Sequence, residues 1–262
     1  MKTMVYIFLC VLFLGCTKHE TPPSSPSAPK CRIISFTTGS WYDSSYVTYN
    51  SKGNPLSRIR KETGTGATNL FFRYDTQDRL SQMLTTYTTA DNGEYFEEWH
   101  YYFYNNSGKI VKDSCWFNGT ITANGPVPDF GQLFYGIKTF EYDNKGRIVN
   151  VVGWGQNNYR FTYDNRQNLD SMHVKTGFGS EYSVGYGPYD NTTNPNRTHK
   201  IWQFLSLDYS LNNASNVSAT NQFGLPTAMS ATREYPDFLK VFYTDLQITY
   251  DCNPTGSGHA IH

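Results

Sequence analysis

The phrase Tyr-Asp/Asn-x-x-Gly-Arg/Lys-Leu/Ile, repeated along the chain, limits the fold more than any other feature. Its clearest copies are Tyr142-Asp143-Asn144-Lys145-Gly146-Arg147-Ile148 and Tyr104-Asn105-Asn106-Ser107-Gly108-Lys109-Ile110. Further copies start at Tyr49, Tyr74 and Tyr163, and a weaker one runs from Asn221 to Pro226. Asp or Asn at the first corner of a type I turn bonds its own downstream backbone. Gly three residues later takes the left-handed conformation that completes a bulged hairpin. Asp78 fills the Gly position of the Tyr74 copy and tolerates that conformation. Gln167, in the Tyr163 copy, does so less readily, so a different turn is expected there.

The flanks of these corners alternate with period two. Phe140 and Tyr142 alternate with Thr139 and Glu141; Tyr159, Phe161 and Tyr163 with Arg160 and Thr162; Leu246, Ile248 and Tyr250 with Gln247 and Thr249. Such patterns describe strands with one wet face. Residues 99–104 are aromatic on both faces and are expected to be covered on both sides. Aromatics make up 16% of the chain, led by 21 Tyr and 17 Phe, which suits a pleated surface. The fold expected is all-β: a single large curved antiparallel meander, open or partly closed; near 200–208, Ile201, Phe204, Leu205 and Leu207 allow one short helix, while Leu205, Leu207 and Tyr209 also alternate as a strand would.

Tyrosines 49, 74, 104, 142 and 163 stand 25, 30, 38 and 21 residues apart. The corners are nearly uniform, so the length variation belongs to the opposite connections: 61–68, 88–95, 118–136 and 176–181. Tight turns therefore gather at one end of the sheet and variable loops at the other, where binding residues most often sit.

The N-terminus carries Lys2 and an apolar run over 4–14, shorter than the roughly 20 residues that span a bilayer. It reads as a secretory leader. It ends in Phe13-Leu14-Gly15-Cys16, which resembles the lipobox of bacterial lipoproteins and makes Cys16 the expected lipid attachment. Residues 17–30, TKHETPPSSPSAPK, cannot build a core and read as an extended tether. The resulting division is a leader at 1–15, a lipidated Cys and tether at 16–30, a β-domain at 31–252 and a flexible tail at 253–262. An exported compartment permits disulfides. Cys31 opens the domain and Cys252 closes its last strand-like run, so a bridge between them is one expectation and free buried thiols the other.

The 21-residue step from Tyr142 to Tyr163 matches the spacing of the YD repeat. With the lipobox, the Pro/Ser tether, a Cys at the domain start and the late stretch Tyr189-Asp190-Asn191-Thr192-Thr193-Asn194-Pro195, the chain resembles Bacteroidota YD-repeat lipoproteins carrying a porin-like domain of unknown function. That resemblance implies an exported β-rich domain at the outer membrane, on its periplasmic face or at the cell surface, with no assigned chemistry.

The residues themselves point to no reaction. Net charge is zero and charged residues are 17%, which argues against a nucleic-acid partner. No nucleophile elbow, phosphate loop, dinucleotide fingerprint or zinc helix occurs. His100, His173 and His199 are isolated in sequence, so no metal and no cofactor are expected. The carboxylates of Glu97 and Glu98, adjacent on a strand, should face opposite ways. The repeated Asp and Asn residues are explained as turn caps rather than as a calcium ladder. Six Asn-x-Ser/Thr sequons, at Asn105, Asn118, Asn191, Asn196, Asn213 and Asn216, indicate exposure. Trp116 and Trp154 are the candidate ligand-contacting aromatics. The function expected is non-enzymatic: a membrane-anchored scaffold displaying loops to a glycan or envelope protein. One alternative is a carrier or chaperone for a lipid or outer-membrane protein on a concave sheet face; another is a polysaccharide hydrolase.

Overall fold

The computed structural model describes residues 30–38, 43–89, 93–129, 134–214, 216–230 and 245–252; the leader, Cys16 and the tail lie outside them. The first eight strands are β1 (Arg32–Thr38), β2 (Asp43–Tyr49), β3 (Pro55–Arg60), β4 (Asn69–Tyr74), β5 (Leu80–Thr88), β6 (Glu94–Tyr104), β7 (Ile110–Thr122) and β8 (Gly125–Pro128). The rest are β9 (Phe134–Tyr142), β10 (Ile148–Val152), β11 (Asn158–Tyr163), β12 (Leu169–Lys175), β13 (Glu181–Gly185), β14 (Asn216–Thr220), β15 (Pro226–Ser230) and β16 (Leu246–Asp251). All sixteen belong to one sheet, in which β1 pairs with both β2 and β16. From β1 the meander runs to β13; from β16 it continues through β15 to β14, and β8 folds back on β7. The sheet is open, with β13 and β14 at its two ends.

The corners use the chemistry of their sequence. In each copy the fifth residue donates its N–H to the carbonyl of the second at 2.9–3.1 Å, from Gly53, Asp78, Gly108, Gly146, Gln167 and Gly224. All six have positive φ, from 58° to 82°. The second residue caps the turn: Asp143 Oδ1 accepts from the N–H groups of Lys145 and Arg147, both at 2.9 Å. Gln167 adopts the common turn, at φ 67°, contrary to the different turn expected of it. The left-handed conformation costs a residue with a Cβ about 1 kcal/mol. Here the corner is over-determined: Asp164 Oδ1 accepts from Asn168 N, and the Asn168 side chain is locked to Asn212.

The motif's remaining residues link one hairpin to the next. The hydroxyls of Tyr74, Tyr104, Tyr142 and Tyr163 donate to the carbonyls of Pro55, Leu80, Ile110 and Ile148, each the seventh residue of the preceding copy. Tyr49, Tyr189 and Tyr250 extend the series onto Ile33, Leu169 and Pro226. Arg79 lies over the Tyr104 ring, Lys109 over Tyr142 and Arg147 over Tyr163, at 4.4, 5.5 and 4.0 Å. Burial pushes the Tyr104 hydroxyl up to about 12 and those of Tyr49 and Tyr142 higher, so they stay protonated donors. The turn end of the sheet is thereby sealed by a row of tyrosines.

The chain from β13 to β14 returns across the concave side. It contains a 3₁₀ turn (Pro195–Thr198) and helix α1 (Lys200–Ser206), the short helix allowed near 200–208. His199 caps α1, its Nδ1 accepting from Ile201 N, and Leu207 ends it in the left-handed region. Trp202 is wholly buried, its ring edge-on to Phe72 of β4, while Phe204 packs on Tyr102 of β6 and Phe140 of β9. One short helix thus fills the middle of the curl. Asn168–Asn212 and Leu169 N to Ser210 Oγ fasten the return to β12, and Thr193 N to Gly224 O fastens it to the β14–β15 corner. Two of the sequons are structural here: Asn196 and Asn213 are buried, Asn213 donating to Thr192 and Thr193.

Residues 99–104 are covered on one side, not two. His100 and Tyr102 face the buried interior, whereas Phe103 on the other face is 45% exposed. Trp99 and Tyr101 pack there against each other with tilted rings, their centroids 4.9 Å apart. A disulfide joins Cys31 to Cys252, directly beyond the Arg32–Asp251 rung of the β1–β16 ladder, where those two side chains also form an ion pair.

Candidate functional site

Above α1, at the end opposite the tight corners, the concave side opens into a cavity of about 860 Å³. Its floor is apolar: Met83 of β5, Phe140 of β9, Met172 of β12, and Phe204, Leu205 and Leu207 of the returning chain. Its upper wall is charged, with Arg58, Arg60, Glu97, Glu98, Asp113 and Lys138. The loops 61–68 and 153–157 contribute Gly66, Gly153, Gly155 and Asn157 to the mouth. This size is typical of sites for small organic ligands.

Both Glu97 and Glu98 line this cavity, against the expectation that neighbours on a strand diverge. The cause is a β-bulge. Thr85 pairs with Glu98 and Thr86 with Phe96, so Glu97 has no partner on β5 and the strict alternation fails there. Glu97 accepts from Gly66 N, tying the bulge to the 61–68 loop.

The β6–β7 hairpin brings four polar side chains together: Glu98, His100 and Asp113 on the cavity wall, with Cys115 behind them. His100 pairs with Cys115 and Tyr102 with Asp113, so the register sets these groups side by side. His100 Nδ1 lies 2.9 Å from Asp113 Oδ2, and its Nε2 lies 3.3 Å from Glu98 Oε2 and 3.8 Å from Cys115 Sγ. His100, Asp113 and Cys115 are buried; Glu98 is half-buried. Burial alone would depress the imidazole, but Asp113 outweighs it, with Cys115 and Glu98 adding to the effect, and holds His100 well above its usual value. Burial pushes the Cys115 thiol up despite the nearby imidazole. His100 was isolated in sequence and is not isolated in space.

The two tryptophans singled out from the sequence lie apart. Trp116 pairs with Trp99 across β6–β7 on the outer face and is half-buried. Trp154 lies in the 3₁₀ turn (Trp154–Gln156) at the loop end, between two glycines of the cavity mouth. The cavity floor, the Glu98–His100–Asp113–Cys115 group and the bulge were missed by sequence reasoning. No helix among the described residues is long and apolar enough to cross a membrane.

No protein-family model and no curated protein matches the chain. Among solved structures it is similar to a porin-like protein from Bacteroides uniformis, with a TM-score of 0.41 and 12% identity, covering 84% of this chain and 98% of that one. It is also similar to TcdB2-TccC3-TEV, with a TM-score of 0.27 and 11% identity, covering 73% of this chain and 11% of that one.

Proposed function

We propose that the protein is a non-enzymatic, lipid-anchored envelope protein that holds a small amphipathic molecule in the concave cavity. The observation that carries this reading is the cavity itself: apolar at its floor, charged at its upper wall, and open at the loop end. An apolar body would rest on Met83, Phe140 and Phe204, and its polar head would meet Arg58, Arg60 and Lys138. The leader ending in Cys16 supports an envelope address and a membrane anchor, and the Cys31–Cys252 bridge fits an exported compartment. This reading favours the carrier over loop-tip display. A polysaccharide hydrolase would need free carboxylates converging on a sugar. Of the cavity carboxylates, Glu98 and Asp113 are drawn to His100, and Glu97 is bonded to Gly66.

Anilinonaphthalene sulfonate is expected to bind the full chain in mild detergent and to be displaced by laurate. Met172→Trp, which fills the floor, is expected to weaken both by about tenfold or more, equivalent to about 1.4 kcal/mol. Trp116→Ala, on the outer face, should leave them unchanged. Binding that survives Met172→Trp but vanishes in Trp116→Ala would move the site to the outer face and end the cavity reading.

A further inference from the structure

We propose that Glu98, His100 and Cys115 form a binding site for a divalent ion of the zinc class in the cavity wall. The first argument is the donor set. A carboxylate, an imidazole and a thiol are the three side-chain types that zinc takes, and three protein ligands are the number that leaves a fourth position for water or a bound molecule. Their donor atoms all lie within 4.8 Å of one another.

The second argument is distance. Bonds of about 2.0–2.2 Å to nitrogen and oxygen and about 2.3 Å to sulfur give tetrahedral edges of about 3.4 Å between N and O and about 3.6 Å between N and S. Here Nε2 of His100 stands 3.3 Å from Glu98 Oε2 and 3.8 Å from Cys115 Sγ. These two edges match a tetrahedral site to within a few tenths of an ångström, and the third, between Glu98 and Cys115, lies within 4.8 Å.

The third argument is orientation. Asp113 holds His100 Nδ1 at 2.9 Å, so a neutral imidazole carries its proton there and turns its Nε2 lone pair toward Glu98 and Cys115. That is the outer carboxylate–histidine arrangement by which metal-ligating imidazoles are fixed. Without an ion, a proton on Nε2 faces the Glu98 carboxylate; a divalent ion would displace that proton, bridge all three donor atoms and take the thiol as thiolate.

The same residues could be read as a nucleophile, base and orienting acid. A nucleophile must meet its substrate, however, and Cys115 has no exposed surface. Glu98 and His100 line the cavity, so an ion held by them would come from the cavity side and meet the buried sulfur behind them. The ion site stands independently of the amphipathic ligand, because it is read with metal alone.

The test is a cobalt(II) titration of the full chain, purified through a tag without histidine and stripped with chelator. One ion per chain is expected, with a thiolate-to-cobalt charge-transfer band that zinc abolishes. Cys115→Ser should remove the band, and His100→Ala should remove tight binding. Asp113→Asn should weaken binding by about 10–100-fold, the usual effect of losing an outer partner. Since substitutions of buried residues can unfold the chain, Glu98→Gln, at a half-buried position of the same size, provides a second arm. It should keep the native circular dichroism and lose at least about tenfold in affinity. Absence of the charge-transfer band in the unsubstituted protein, or uptake unaltered by both Cys115→Ser and Glu98→Gln, would overturn the proposal.

Discussion

Replacing Trp202 with alanine is expected to destabilise the protein by about 3–5 kcal/mol, the range for deleting a large buried aromatic. Trp202 has no exposed surface and sits at the centre of the curl. It packs edge-on to Phe72 and lies beside His199, the residue that caps its own helix. The neighbouring strands cannot collapse into the space because their register is set by the tight corners and the tyrosine row. The measurement is urea unfolding followed by circular dichroism, with Trp202→Phe as the partner variant retaining part of the packing. A loss below about 1 kcal/mol for Trp202→Ala would mean that α1 rests on a sheet that stands without it.

Removing the bridge with Cys252→Ser should cost a similar amount. The disulfide closes a sequence separation of 221 residues, and the chain-entropy account assigns about 5 kcal/mol to a loop that long. Engineered and native bridges often deliver less, so about 3–5 kcal/mol is expected. The position adds to the effect. The β1–β16 pair brings together the two ends of the described domain, and the Arg32–Asp251 rung alone leaves it to fray. Thermal unfolding of the full chain with and without reductant provides the check, and Cys252→Ser should no longer respond to reductant. A variant as stable as the parent would show that the ladder holds those ends without covalent help.

These two sites differ in how visible they were from sequence. Corner chemistry was legible because it is local: Asp143, Gly146 and their equivalents act within five residues, and the alternation around them fixes which face is buried. The helix at Lys200–Ser206 showed through the spacing of Ile201, Phe204 and Leu205. Its place inside the curl did not, because it depends on Asn168–Asn212 and other contacts between residues more than forty apart. Asn168 stands where the Tyr74, Tyr104 and Tyr142 copies carry Arg79, Lys109 and Arg147, but the Tyr49 copy also has Asn there, at Asn54, so the departure did not by itself mark a corner that grips the returning chain.

The polar group in the cavity was hidden for a different reason. Glu98-x-His100 and Asp113-x-Cys115 are unremarkable alone. The Tyr104 corner between them, however, fixes the hairpin register, and counting outward from it sets His100 opposite Cys115. The signal was therefore present, but in the combination of turn type and spacing rather than in a motif. Glu97 could not have been placed, since a bulge has no reliable mark in a single sequence. The same bulge invalidated the rule of alternation that had separated Glu97 from Glu98.

That the concave cavity, not the outer face, is where the protein meets its ligand is tested most directly by hydrogen exchange on the full chain in detergent, with and without laurate. Added protection is expected in segments 66–72, 97–102, 151–159 and 200–207, with the corners at 50–54 and 143–147 unchanged. Protection spread evenly over the sheet, or confined to strands without a cavity-lining residue, would contradict the account.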